Sequence, residues 1–141
     1  MDAFDADVLI YAATRDHPLG RRVRALFPVG IEPAHIGETG IGSVLLLPEL
    51  LSKPLRDDAE SELSELASLL SHLELLPVDR ATAELATALG AAHGLRAADA
   101  IHLATAVGAG ADRFITNNRR DFPASIDEVD VTYPADLPSP D

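Results

Sequence analysis

The stretch Phe4-Asp5-Ala6-Asp7-Val8-Leu9-Ile10-Tyr11-Ala12-Ala13 decides how this chain folds. It begins as a short apolar strand, breaks at Asp5-Ala6-Asp7, and resumes at once as an apolar helical segment. Asp7 is placed to cap that helix, because a short carboxylate accepts a hydrogen bond from an orphan amide of the first turn. A strand that passes directly into a helix opens a β-α unit.

The same alternation continues outward from there. Residues 17–27 read as a helix with Val23, Leu26 and Phe27 on one face and Pro28 as its stop. The Gly-rich stretch 30–42 reads as a loop with a short strand. Residues 43–51 are apolar apart from Pro48 and Glu49, and Pro48 suits the first turn of a helix. Residues 57–72 predict an amphipathic helix, with Leu63, Leu66, Leu69 and Leu70 set against Glu60, Glu62 and Glu65. A buried strand over 73–78, a helix over 80–93 stopped by Gly94, and a helix over 97–107 follow. Strands over 114–116 and 129–133 close the pattern. Helices alternating with short strands predict a three-layer α/β/α sandwich around a mostly parallel sheet. One domain over residues 1–134 fits the length of 141 residues. The Pro- and Asp-rich tail, residues 135–141, is expected to add no regular structure, and the same holds from Pro134 on.

Apolar residues make up 47% of the chain, enough for a sizeable core. The absence of cysteine excludes disulfides, thiolate metal sites and cysteine nucleophiles. The N-terminus reaches an acid at Asp2 without a basic region, so no signal peptide is expected. Apolar runs such as residues 44–47 are too short to span a bilayer. These features predict a soluble, cytoplasmic protein. The net charge of −12 is the wrong sign for a nucleic-acid binder, whose affinity normally comes from Lys and Arg. Divalent cations held by carboxylates, or a basic partner over the acidic surface, are two ways to meet that objection.

In open α/β sheets the active site lies beyond the carboxyl ends of the strands. Asp5 ends the first strand, Glu49 opens the helix after residues 43–47, and Asp99 lies early in the helix over 97–107. Read singly, Asp99 is either functional, a salt-bridge partner of Arg96 or Arg113, or part of a solvated stripe. Glu49 alone is explained by the preference of helix starts for acids. Asp5-Ala6-Asp7 alone is explained as a turn with a cap. Together, carboxylates at one sheet edge with no thiols make an oxygen site suited to Mg²⁺ or Mn²⁺, which activates water against a phosphodiester. No phosphate-binding loop, nucleophile elbow or zinc-protease motif competes. The five histidines (His17, His35, His72, His93 and His102) lack metal-ligand spacing, and most of them read as surface or helix-end residues.

These segments resemble the PIN domain family, and within it the VapC-type toxins. The stretch 4–12 is similar to the family's first motif. Pro48-Glu49-Leu50-Leu51-Ser52-Lys53-Pro54-Leu55 resembles its central Glu segment. Arg96-Ala97-Ala98-Asp99-Ala100-Ile101-His102-Leu103-Ala104-Thr105-Ala106 resembles its third motif, and Asp112-Arg113-Phe114-Ile115-Thr116-Asn117-Asn118-Arg119-Arg120-Asp121-Phe122 its fourth. The resemblance implies a Mg²⁺- or Mn²⁺-dependent endoribonuclease with Asp5, Glu49 and Asp99 as metal ligands. It also implies a homodimer and inhibition by a cognate antitoxin.

Asn118 stands where the family commonly has Asp. Asn still offers a carbonyl to a metal or its water but brings no charge. Asp121, Asp7 and Thr116 are the residues able to support the site in its place. Arg119 and Arg120 are the nearest candidates for RNA phosphate contacts, ahead of Lys53, Arg56 and Arg96. Two other readings stay open. Asp5-Ala6-Asp7 also resembles the nucleophile motif of haloacid-dehalogenase phosphatases, although Lys53 is the sole lysine available to complete it. A PIN-like binding module with a site weakened at Asn118 is the other.

Overall fold

Strand β1 (Asp2–Phe4) stops at Asp5 and helix α1 (Ala6–Ala13) starts on the next residue in the computed structural model, which describes residues 1–28 and 39–140. After them come α2 (Pro18–Arg24), β2 (Gly40–Ser43), α3 (Leu46–Arg56), α4 (Glu60–Ser71) and β3 (Leu73–Leu76). Helices α5 (Arg80–His93) and α6 (Ala97–Gly108), strands β4 (Arg113–Ile115) and β5 (Asp130–Thr132), and a 3₁₀ turn (Pro134–Asp136) complete the chain. The sheet order is β3-β2-β1-β4-β5, and every neighbouring pair is parallel.

The two faces of the sheet follow from the two-residue period of its strands. Ala3, Phe114 and Val131 point to the side covered by α5 and α6. Phe4 and Ile115 point to the side of α1 to α4. Each face therefore buries its own core, which makes the expected three-layer sandwich. A fully buried side chain such as Phe4 or Phe114 contributes on the order of 1.5–3 kcal/mol. Close approach of α1 and α2 depends on Gly20, where a Cβ would sit 2.0 Å from the Tyr11 carbonyl oxygen. Because β2 and β4 flank β1 on opposite sides, the connections leaving β1 and β3 diverge and open a crevice at the carboxyl ends of β1 and β4.

Several local expectations are corrected. Asp7 does not cap α1. Asp5 does, its Oδ1 accepting from the Ala6 amide, because β1 releases the chain one residue before the helix begins. The strand expected to be buried over 73–78 is shorter and lies at the sheet edge, so Glu74 is exposed and only Leu73 is fully buried. Helix α2 is shorter than expected but keeps the anticipated face, with Val23 and Phe27 buried. The tail is ordered where it meets the body: after the 3₁₀ turn, Leu137 is 2% exposed in the core beneath α1 and α2. Arg22 donates to its carbonyl at 2.7 Å. The early part of the Gly-rich stretch, with His35, lies outside the described residues. Among the described residues no helix is long and apolar enough to cross a membrane.

Candidate active site

The carboxyl ends of β1 and β4 are neighbours, so Asp5 and Thr116 arrive at one point although they are far apart in the chain. The Asp5 amide donates to the Ile115 carbonyl at 3.0 Å. The Thr116 hydroxyl donates to Asp5 Oδ2 at 2.8 Å, and the Ala6 amide donates to Oδ1 at 2.8 Å. Both carboxylate oxygens are thus oriented, and Asp5 is 6% exposed. Burial raises its pKa above the ordinary carboxylate value and the Glu49 charge adds to this; His102 and the two donors oppose the rise.

Asp7 stands in the first turn of α1, with Oδ2 accepting from the Asn117 amide at 3.0 Å. Its Oδ1 is buried without a hydrogen-bond partner. Burial, then the neighbouring Asp5 charge, pushes its pKa up to about 7. Asp99 occupies the first turn of α6, half-buried. Its pKa is raised by burial and then by the charges of Asp5 and Asp121. The salt-bridge explanation of Asp99 does not hold for Arg113, whose Nε and Nη2 donate to Asp2 at 2.9 and 2.8 Å and which makes no ion pair with Asp99 among the described residues. Arg96 precedes α6 as its N-cap and makes no ion pair with Asp99 among the described residues.

Glu49 lies in the first turn of α3 and accepts a hydrogen bond from His102 Nε2. The expectation that His102 is a surface or helix-end residue is therefore wrong: it is 3% exposed, in the middle of α6. The signal was available in its helical phase, one turn from Asp99 and beside the buried Leu103 and Ala106. His17 and His72 do cap helices, and His93 is the last residue of α5.

The side chain of Asn118 is committed to a turn. Its Nδ2 donates to Asp121 Oδ2 at 2.9 Å, and its Oδ1 accepts from the Asp121 amide at 3.2 Å. Its own amide donates to the Thr116 hydroxyl at 3.1 Å. Asn118 thereby holds Asp121, and Asp121 supplies the charge felt by Asp99. Arg119 lies with its guanidinium 4.0 Å from the Tyr133 ring centroid, and Arg120 is exposed beside it. Arg56 pairs with Asp57.

Asp5, Asp7, Glu49, Asp99 and Asp121 form one electrostatically coupled set at the sheet end. An all-oxygen donor set in which burial and then neighbouring acids raise the pKa values of Asp5, Asp7 and Asp99 fits a hard divalent cation, which would relieve that repulsion. As the side chains stand, no three His, Asp or Glu among the described residues converge on one cation position. Two surface clefts, one bounded by Ala12, Arg15 and Glu65 and the other by Leu76, Leu85 and Ala104, contain none of these acids.

The sequence pattern of the PIN domain matches residues 3–127. The chain belongs to the PIN domain family. Among solved structures, this PIN domain is similar to a toxin–antitoxin complex from Klebsiella pneumoniae. The two share 24% identity with a TM-score of 0.72, over 95% of this chain and 98% of that one. It is also similar to VapBC2 from Rickettsia felis bound to a DNA fragment from its promoter, at 16% identity and a TM-score of 0.68, over 94% and 97%. At these identities the likeness speaks for the fold. No curated protein matches the chain.

Proposed function

We propose that this PIN domain is a divalent-metal-dependent endoribonuclease, the toxin of a VapC-type toxin–antitoxin pair. The observation that carries the reading is the coupled set of Asp5, Glu49, Asp99 and Asp121 around the ends of β1 and β4. Family membership and the likeness to toxin–antitoxin structures support it.

Asp5, Glu49 and Asp99 hold Mg²⁺ or Mn²⁺ in this reading. The bound ion supplies a water acidic enough to be a nucleophile near neutral pH and offsets charge building on the phosphodiester. Thr116 and the Ala6 amide fix the Asp5 carboxylate so that it does not reorganise during the reaction. Asp7 adds negative charge behind Asp5 and ties α1 to the Asn117 amide. Asp121, aimed by Asn118, provides the fourth carboxylate. Arg119, braced on Tyr133, and Arg120 hold the phosphates on either side of the scissile bond. A cytoplasmic antitoxin with basic segments answers the net charge of −12, and a second copy of the chain completes the toxin.

The pairing of Asn118 with Asp121 supports the nuclease reading over a merely binding module, since the turn keeps an acid beside Asn118. The family match includes Asp5-Ala6-Asp7, so the phosphatase resemblance adds nothing. The test is cleavage of a mixed RNA pool by antitoxin-free protein in Mn²⁺, against EDTA and Asp99→Asn. Discrete cleavage that both controls abolish is the expected result. Absence of cleavage in every divalent metal tried overturns the reading.

A further inference from the structure

We propose that His102 is the positioning residue for Glu49, its imidazole holding one carboxylate oxygen so that the other faces the cation. This rests on Glu49 being a metal ligand, as proposed above.

Glu49 needs such a hold. It rides the first turn of α3, and its side chain is 35% exposed. Ordering a glutamate side chain costs rotamer entropy, a cost that recurs at each binding event unless something fixes it beforehand. His102 is suited to do so. It projects from α6 one turn beyond Asp99, on the same helical face, and packing leaves its side chain 2% exposed. A carboxylate can only accept, so Nε2 carries the hydrogen and donates to Glu49 Oε1. The ring thus reaches Glu49 from the same helix that carries Asp99.

The other ring nitrogen makes a stability role a poor explanation. Nδ1 is buried and has no hydrogen-bond partner among the described residues. A buried polar atom left unpaired is destabilising, and an apolar side chain of similar size would serve the core better. The bond to Glu49 is the one polar contact His102 makes among the described residues, so what the imidazole contributes is the direction of that carboxylate. This is the arrangement by which an outer hydrogen bond orients a ligand and tunes its affinity.

Asn and Gln in place of His102 separate the roles. Both bring an amide, but only Gln places an N–H where Nε2 now lies. The experiment is calorimetric titration of the full-length protein with Mn²⁺ alone, for the wild type, Asp99→Asn, His102→Asn, His102→Gln and His102→Leu. Thermal unfolding of each in EDTA accompanies it. The expected result is Mn²⁺ binding about 10- to 100-fold weaker in His102→Asn and His102→Leu, and within about threefold of wild type in His102→Gln. Metal-free His102→Leu should unfold no earlier than the wild type. Wild-type affinity in His102→Asn overturns the proposal, as does a loss that Gln fails to restore. Failure of the wild type itself to bind Mn²⁺ overturns the nuclease reading first, and this proposal with it.

Discussion

Replacing Asp7 by Asn should stabilise the metal-free protein more at pH 8 than at pH 5. Asp7 has an ordinary pKa of 3.8 in the unfolded chain and about 7 in the folded one. Between those values the folded state keeps a proton that the unfolded state has released. Stability therefore falls as pH rises from about 4, and the penalty is complete above about pH 7. From pH 5 to pH 8 the difference is at most about 2.5 kcal/mol, at roughly 1.4 kcal/mol per unit. Asp7 is not fully enclosed, so solvent screening reduces this to about 1–2 kcal/mol. Asn retains an oxygen for the Asn117 amide, so the turn stays bonded. Relief of Asp5 is part of the same gain. The assay is urea unfolding in EDTA at both pH values, taking the variant-minus-wild-type difference at each. A double difference of zero within about 0.3 kcal/mol refutes the reasoning. Saturating Mn²⁺ should narrow or reverse the advantage of Asn, because the cation relieves the crowding by another route.

Leu137→Ala should cost about 2–4 kcal/mol, since it empties a core site under α2; a change below about 1 kcal/mol in urea would mean that the tail is not anchored there. Thr116→Val preserves volume but leaves both Asp5 Oδ2 and the Asn118 amide without their hydroxyl partner. It should cost about 1–3 kcal/mol at pH 8 and less at low pH, where Asp5 is protonated, a difference that unfolding at the two pH values checks.

Local signals were read well. Helix α5 was expected over the residues it occupies, because Asp79 bonds the Thr82 amide at one end and Gly94, at φ 66°, ends the other. Features that depend on sheet order were not. Nothing in residues 73–78 says that β3 has a neighbour on one side only, and that decides how much of it is buried. The choice between Asp5 and Asp7 as cap turned on where pairing with β4 ends. The acids were legible because they sit at strand ends and helix starts. The bond from His102 to Glu49 was not, since it joins two helices whose packing no local pattern reveals. Asn118 showed its missing charge plainly, whereas its exchange of hydrogen bonds with Asp121 required the geometry of the turn.

The pairing of β1 with β4 also sets a schedule for synthesis. Thr116 follows its partner Asp5 by 111 residues, and Asn117 follows Asp7 by 110. The first acids are synthesised well before Thr116 and the Asn117 amide, two of the groups that orient them. Parallel strands so distant in sequence pair slowly, after the local helices have formed. A nascent chain that has not yet reached residue 116 carries Asp5, Asp7, Glu49 and Asp99 but lacks the Thr116 hydroxyl and the Asn117 amide that orient the first two.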